Sequence, residues 1–146
     1  MSKTSAYSVD LLELELNATA LANLADNTGT SPATTMTLAL HTADPSAGDQ
    51  TTSEVAYTSY ARVTVARTSG GWTVTSTAGG AQAVNAALIT FPASTGGADV
   101  VATHVSVGTG VGDYITRSGA LSSPITIVNG NPAPEIAIGA LILTET

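Results

Sequence analysis

The chain has 146 residues and a mass of 14.5 kDa, which is enough for one domain with a buried core. Four basic residues against eleven acidic ones give a net charge of −7, which argues against binding to nucleic-acid phosphates or to an anionic membrane surface. The absence of Cys excludes disulfides, thiol catalysis and thiolate zinc sites.

The N-terminal region predicts a short arm followed by an amphipathic helix. Residues 1–7 are polar and form the expected arm, and Ser8 is a plausible N-cap. Apolar residues then recur at three- and four-residue spacing through residues 9–24, as on one face of a helix. Residues 12–16 also alternate as a strand would, but their Leu and Glu side chains favour a helix. Asn27, with a glycine two residues later, supplies a stop signal.

The apolar face of this helix is wider than the flank of a single domain usually requires. Its residues are therefore candidates for contacts with a partner, although they could equally cover the open end of the chain's own β-structure. The candidate interface residues are Val9, Leu11, Leu12, Leu14, Leu16 and Leu21. The predicted division of the chain is an arm and helix over residues 1–27 and a β-domain over residues 28–146.

After the helix, runs rich in Val, Ile and Thr are separated by turn residues, which is typical of short β-strands. Trp72 begins one alternating run, so we expect its ring in the core. These segments predict a mainly β fold, an antiparallel β-sandwich or jelly roll with one N-terminal α-helix. The predicted strands cover residues 34–42, 60–67, 72–77, 82–91, 99–108, 114–121, 124–128 and 135–144.

The side chains that could perform chemistry form no recognisable constellation. His41 and His104 lack the spacing of metal ligands and are interpreted as two half-exposed strand residues. Asp44, Asp49 and Glu54 share a loop without the spacing of a calcium-binding loop, which favours solvated Asx turns. We therefore expect no enzyme, no catalytic residues, no bound metal and no cofactor.

Two further features argue against nucleotide binding and against a membrane location. The run Gly108–Gly112 has the glycine content of a phosphate loop, but a strand-like run follows it, so we predict a hairpin loop. No stretch approaches the roughly 18 apolar residues of a membrane span. Residues 1–10 lack the pattern of a secretory signal, and we expect synthesis in a cytoplasm.

Five short pieces occur in a fixed order along the chain. They are the N-terminal helix, Leu38–Pro45, Glu54–Val55 followed by Tyr60–Arg62, Ile89–Pro92 and the ending Gly139–Leu141. Together they resemble a family of structural proteins of tailed-bacteriophage virions. Leu40–Pro45 is the most specific run, and the similarity covers nearly the whole chain. Members of such families include head decoration (cement) proteins and tail-fibre or minor tail proteins.

The resemblance implies a non-catalytic β-sandwich that coats or extends a virus particle. We expect a capsid decoration protein on the capsid surface that binds the major capsid protein and itself, as a homo-oligomer such as a trimer. The scarcity of Lys agrees with extensive interfaces, where Lys is depleted. A tail-associated or tail-fibre protein is the alternative, disfavoured by the absence of sequence repeats, and a small carbohydrate-binding or hydrolytic domain is the third hypothesis.

Overall fold

The structure, a computed structural model, describes residues 5–20 and 33–146. These residues form one helix and nine strands, and the pairings with a defined register are antiparallel. The predicted mainly β, antiparallel fold with an N-terminal helix is confirmed, and the architecture is consistent with a β-sandwich. In chain order the elements are α1 (Ser5–Leu16), β1 (Thr35–His41), β2 (Val63–Ala66), β3 (Trp72–Thr77), β4 (Gly80–Asn85), β5 (Ile89–Thr90), β6 (Val100–Gly108), β7 (Ile115–Ile127), β8 (Glu135–Ile136) and β9 (Ile142–Glu145).

The chain divides into two compact units, which we call unit 1 and unit 2. Unit 1 comprises residues 1–35, 66–89 and 136–146, as far as these are described. It contains the three-stranded sheet β3-β4-β9, and α1 packs on all three of these strands. Its fully buried side chains include those of Leu12 and Trp72, and Trp72 therefore lies in the core as predicted.

Unit 2 comprises residues 36–65 and 90–135. It contains the four-stranded sheet β2-β1-β6-β7, in which β1 and β6 pair from Thr37 opposite Gly108 to His41 opposite His104. The alternating apolar residues of β1 are buried, as the period-two pattern requires. A separate two-stranded sheet joins β5 and β8.

The side chain of Asn85 explains why two predicted strands are interrupted. Residues 82–91 separate into β4 and β5, and residues 135–144 separate into β8 and β9. The Asn85 amide donates to the carbonyls of Ala87 and Ala137, and its Oδ1 accepts from the Leu141 amide at 2.9 Å. These bonds join the buried side chain of Asn85 to backbone groups that lie outside the strands. The strand pairing therefore stops beside Asn85.

Strand β7 shows the opposite difference, because two predicted strands belong to one edge strand with a bulge. Its pairing passes from Ala102 opposite Ile125 to His104 opposite Ala120, which leaves residues 121–124 opposite a single residue of β6. The bulge contains Pro124, which lacks a backbone donor. A bulge and a proline on an edge both hinder pairing with another strand.

Helix α1 begins and ends earlier than the sequence predicts. Ser8 lies within the helix and is fully buried, so its interpretation as the N-cap is wrong. Ala18 takes a left-handed φ of 56°, and the Thr19 amide donates to the Glu13 carbonyl at 3.0 Å. The Asn17 side-chain amide also donates to the Glu13 carboxylate at 2.7 Å. The helix therefore ends at Leu16, because the backbone reverses at Ala18.

The predicted helix stop at Asn27 and the predicted domain boundary between residues 27 and 28 lie outside the described residues. The boundary therefore stays a prediction. Within the described residues, no helix has the length and apolar character that crossing a membrane requires.

Candidate functional site

The predicted interface residues on α1 differ strongly in exposure. Leu12 and Leu16 are 0% exposed, one turn apart on the face that packs on the sheet of unit 1. These two side chains are thus core residues of unit 1. Val9, Leu11 and Leu14 are half-buried, and Leu21 lies outside the described residues. An interface role for these four residues stays a prediction.

Arg67 fastens the C-terminal end of α1. Its guanidinium donates to the backbone carbonyls of Leu14 at 2.6 Å, Glu15 at 2.7 Å and Ala33 at 2.5 Å. The last carbonyls of a helix lack partners within the helix, and a positive charge there also complements the helix dipole. Arg67 therefore joins the end of α1 to the segment that enters β1.

In unit 2, His41 is fully buried, so its interpretation as a half-exposed strand residue is wrong. Its Nδ1 lies 2.9 Å from the carbonyl of Thr52 and its Nε2 lies 2.8 Å from Oγ of Ser106. A carbonyl only accepts, so Nδ1 carries the proton and the Ser106 hydroxyl donates to Nε2. Burial lowers the pKa of His41 and favours this neutral form. His104, by contrast, is half-buried, as predicted.

Gln50 extends this hydrogen-bonded chain back to the N-terminal part of β1. Its Nε2 donates to the Thr37 carbonyl at 2.9 Å and to Oγ of Ser106 at 3.3 Å. Gly108 lies against the Gln50 amide, and a Cβ added to this glycine would clash with it. The chain Gln50–Ser106–His41 thus joins the loop after β1 to the sheet. Its hydroxyl and imidazole are fully buried, so this chain of hydrogen bonds lies within the core of unit 2.

A second polar cluster surrounds Arg62. The guanidinium donates to both oxygens of Glu54, at 2.7 and 2.8 Å, and to Oδ1 of Asp113 at 2.5 Å. The Tyr60 hydroxyl donates to Oε1 of Glu54 at 2.9 Å and accepts from the Leu40 amide at 3.1 Å. Glu54 raises the pKa of Arg62 through these bonds, and burial raises the pKa of Tyr60. The guanidinium therefore stays charged and the phenol stays neutral.

The acidic loop after β1 forms the Asx turns that the sequence predicts. The Asp44 carboxylate accepts from the Ser46 amide, and the Asp49 carboxylate accepts from the Thr51 amide, both at 2.9 Å. Hydrogen bonds from Ser46 lower the pKa of Asp44, and bonds from Thr51 lower that of Asp49. Among the described residues, no three acidic or histidine side chains are grouped as metal ligands would be.

Two aromatic rings, those of Tyr57 and Tyr60, line a shallow depression in unit 2. Tyr60 meets Tyr57 edge to face at a centroid distance of 5.2 Å and stacks on Phe91 at 6.5 Å. The Tyr57 hydroxyl donates to the Pro92 carbonyl at 2.7 Å. The depression has a volume of about 510 Å³. Its lining residues are Val55, Ala56, Tyr57, Thr58, Tyr60 and Gly97.

The loop that joins β6 to β7, residues 109–114, is the hairpin loop predicted from the glycine-rich run, and we call it the hairpin tip. Val111 is 75% exposed and Tyr114 is 64% exposed. Asp113 takes a left-handed φ of 58°, which is unfavourable for a residue other than glycine. The side chain of Asp113 accepts a hydrogen bond from Arg62, and its carbonyl accepts one from the backbone amide of Gln50 at 2.9 Å.

Sequence reasoning from ligand spacing missed both polar clusters, because their members are far apart in the chain. Arg62 and Asp113 are separated by 51 residues, and His41 and Ser106 by 65. The available signal was the resemblance itself, since its short runs contain His41, Glu54, Tyr60 and Arg62. The motifs thus mark residues that hold unit 2 together.

A comparison with protein families identifies the chain. The family described as "Podophage GP4 fiber I protein gp80" matches residues 15–144, which is nearly the whole sequence. No curated protein matches. The chain belongs to this family, which confirms the resemblance to structural proteins of tailed-phage virions.

Proposed function

We propose that this member of the family is a non-catalytic subunit of a podophage fibre, joined to the particle through another virion protein. The observation that supports the proposal most directly is the family match over residues 15–144. The printed family name refers to a fibre, and the match includes all three sheets, except the last residue of β9, and the polar clusters of unit 2. A fibre subunit needs a stable module and docking surfaces, and it needs no catalytic centre.

The interior of unit 2 supports a structural rather than a catalytic role. His41 and Ser106 are hydrogen-bonded to each other inside the core, and Arg62 donates hydrogen bonds to two carboxylates. A catalytic base or nucleophile must reach a substrate, and here the imidazole and the Ser106 hydroxyl are both fully buried. These groups therefore act as fasteners between β1, β6 and the connecting loops.

Capsid decoration is the second candidate function. It is supported by the small size of the two units and the absence of a sequence repeat, which a long fibre shaft would usually show. A decoration protein also needs a segment that reaches a neighbouring subunit, and α1 is the candidate for it. Leu12 and Leu16 pack on the chain's own sheet and leave less of the apolar face of α1 for such a contact, so we favour the fibre proposal.

The proposed partners are a second virion protein and further copies of this chain, with a closed trimer as one form. For a decoration protein the virion partner would be the major capsid protein. The scarcity of Lys agrees with large interfaces, and the net charge of −7 agrees with the proposed absence of nucleic acid and of anionic membrane among the partners.

Immunogold electron microscopy of purified virions tests this proposal. An antibody raised against the folded chain should label projections on the particle. Labelling spread evenly over the head would favour capsid decoration instead. Particles from a phage that lacks the gene should remain unlabelled, which controls for cross-reaction. Failure of the antibody to label wild-type virions that have been disrupted and spread on the grid would contradict both candidates.

A further inference from the structure

We infer that the hairpin tip and the adjoining Asp49 form a docking surface for a basic, partly apolar patch on another virion protein. The inference rests on the proposed virion role and adds to it the surface and the chemistry of the partner. We call Asp49, Val111, Asp113 and Tyr114 the acidic tip surface.

The acidic tip surface is rigid, because its backbone is held from several sides. Arg62 binds the Asp113 carboxylate, and the backbone amide of Gln50 donates to the Asp113 carbonyl. The backbone amide of Tyr114 donates to the Val111 carbonyl at 3.3 Å. Gly110 has a φ of 73°, and a Cβ there would approach Oγ1 of Thr37 to 2.5 Å. A surface fixed in advance loses little conformational entropy when it binds.

The acidic tip surface exposes two large apolar side chains, one of them a tyrosine, which is a residue type that interfaces favour. Val111 and Tyr114 lie three residues apart on the hairpin tip and are the two most exposed large apolar residues of unit 2 among those described. A tyrosine offers a large contact area at a low entropic cost, since it has only two rotatable bonds. The rigid tip thus presents one aromatic and one aliphatic anchor to a partner.

The charge around these anchors is negative. Arg62 is bonded to both Glu54 and Asp113, and Asp49 adds a third carboxylate. Arg62 contributes +1 and the carboxylates of Glu54, Asp113 and Asp49 contribute −1 each, so the acidic tip surface and the ion pairs that hold it sum to −2. Asp49 directly precedes Gln50, whose backbone amide donates to the Asp113 carbonyl of the hairpin tip. The negative charge of Asp49 therefore lies beside the hairpin tip. A partner surface that complements this charge and these side chains would carry Lys or Arg beside an apolar pocket.

A second copy of the chain fits this surface poorly. The chain itself carries a net charge of −7, and Arg62 and Arg67 are engaged by groups of their own chain. Nucleic acid is excluded by the same negative charge. A protein of a different kind, with basic residues, is the occupant that the charges favour.

The test is incorporation of the chain into virions during infection. A phage that lacks the gene is grown on bacteria that supply the full chain, wild type or variant, from a plasmid. The number of chains per purified particle is then measured by quantitative mass spectrometry. The double variant Val111→Ser/Tyr114→Ser should be incorporated about tenfold less than wild type, because it loses both anchors.

Two pairs of variants provide matched controls. Val101→Ser changes an apolar residue of β6 that is 44% exposed, and it should be incorporated as wild type is. Asp49→Asn should reduce incorporation severalfold, whereas Asp44→Asn, which changes the other Asx-turn aspartate of the same loop, should not. Each variant is checked for wild-type melting, and Val111→Ser alone replaces the double variant if that chain unfolds.

The outcomes separate this inference from the proposed function. If the tip variants fold and enter virions at the wild-type level, the acidic tip surface is not the docking surface. If they enter normally but lose binding to bacterial cells or to purified surface glycan, the partner is a receptor and the inference is equally wrong. If even the wild-type chain never enters virions, the proposed virion role itself fails.

Discussion

Unit 1 and unit 2 each contain an arginine that joins distant segments, but the partners are of opposite kinds. In unit 1, Arg67 donates only to backbone carbonyls, at the end of α1 and before β1. In unit 2, Arg62 lies between the carboxylates of Glu54 and Asp113. Carbonyl groups carry no net charge, so the bonds of Arg67 depend on the backbone path, whereas those of Arg62 depend on ionised partners.

The same contrast extends to the two cores. Unit 1 buries Trp72, Leu12 and Leu16 around the neutral amide of Asn85, and unit 2 buries His41 and Gln50 beside its apolar strands. Unit 1 is therefore held together mainly by apolar packing and by hydrogen bonds to uncharged groups, while unit 2 also depends on His41, which responds to pH, and on the ion pairs of Arg62, which respond to salt. Each variant below tests one side of that difference.

The largest effect is expected in unit 1, at Trp72. Trp72→Ala should lower the free energy of unfolding by about 3–5 kcal/mol, because a fully buried ring is removed. Denaturant titration measures this loss. Trp72→Phe should cost less, since it keeps a ring and removes an Nε1 that has no hydrogen-bond partner among the described residues. A loss below about 1 kcal/mol for the alanine variant would show that the ring is not a core element.

The two arginines should differ in salt dependence. Arg67→Met and Arg62→Met should each destabilise by about 2–3 kcal/mol at low salt, since each removes several charged hydrogen bonds. At about 1 M salt the cost of Arg62→Met should shrink, because its partners are charged, while that of Arg67→Met should persist. Denaturation curves of both variants at two salt concentrations measure this, and an equal salt response would contradict the comparison.

Acid should weaken unit 2 through His41. Burial lowers the pKa of His41 below the ordinary 6.5, so the unfolded chain takes up a proton at a higher pH than the folded chain does. This contribution to stability is complete above pH 6.5 and is lost as the pH falls from there through the folded pKa. Denaturant midpoints at several pH values measure it.

The control for the acid effect is His41→Gln, which removes the titrating group but keeps a hydrogen-bonding side chain. Subtracting its pH profile from the wild-type profile removes the contribution of the carboxylates. The difference should decline below pH 6.5. A difference that stays constant with pH would show that His41 is protonated equally in both states.

The smallest expected effect concerns Tyr57. Tyr57→Phe should cost about 1 kcal/mol, because the hydrogen bond to the Pro92 carbonyl is lost while the ring contact with Tyr60 remains. Tyr114→Phe, at an exposed tyrosine of the same unit, should change stability by less than about 0.5 kcal/mol. Thermal melts of the two variants make the comparison, and equal effects would contradict it.

Features that depend on neighbouring residues could be predicted from the sequence. The alternation of apolar and polar residues predicted the positions of most strands, and it predicted that Trp72 lies in the core. The glycine content of residues 108–112 identified the hairpin, and the aspartates of the loop after β1 identified Asx turns. These signals work because the side chain and the backbone that it organises lie within a few residues of each other.

Features that depend on distant contacts could not be predicted. His41 has the same pattern whether it faces water or Ser106, and only the pairing of β1 with β6 decides this. Residues 121–124 have turn composition, yet pairing on both sides keeps them within β7 as a bulge. The left-handed conformation of Ala18, which follows the helix end at Leu16, could not be predicted, because alanine favours continuing a helix.

Electron microscopy of virions made without this chain tests the fibre proposal most directly. The phage that lacks the gene is compared with the same phage complemented by the wild-type chain. The proposal predicts particles with closed, filled heads that lack one class of projection, and recovery of that projection on complementation. Particles that keep every projection, or that instead lose the integrity of the head shell, would contradict it.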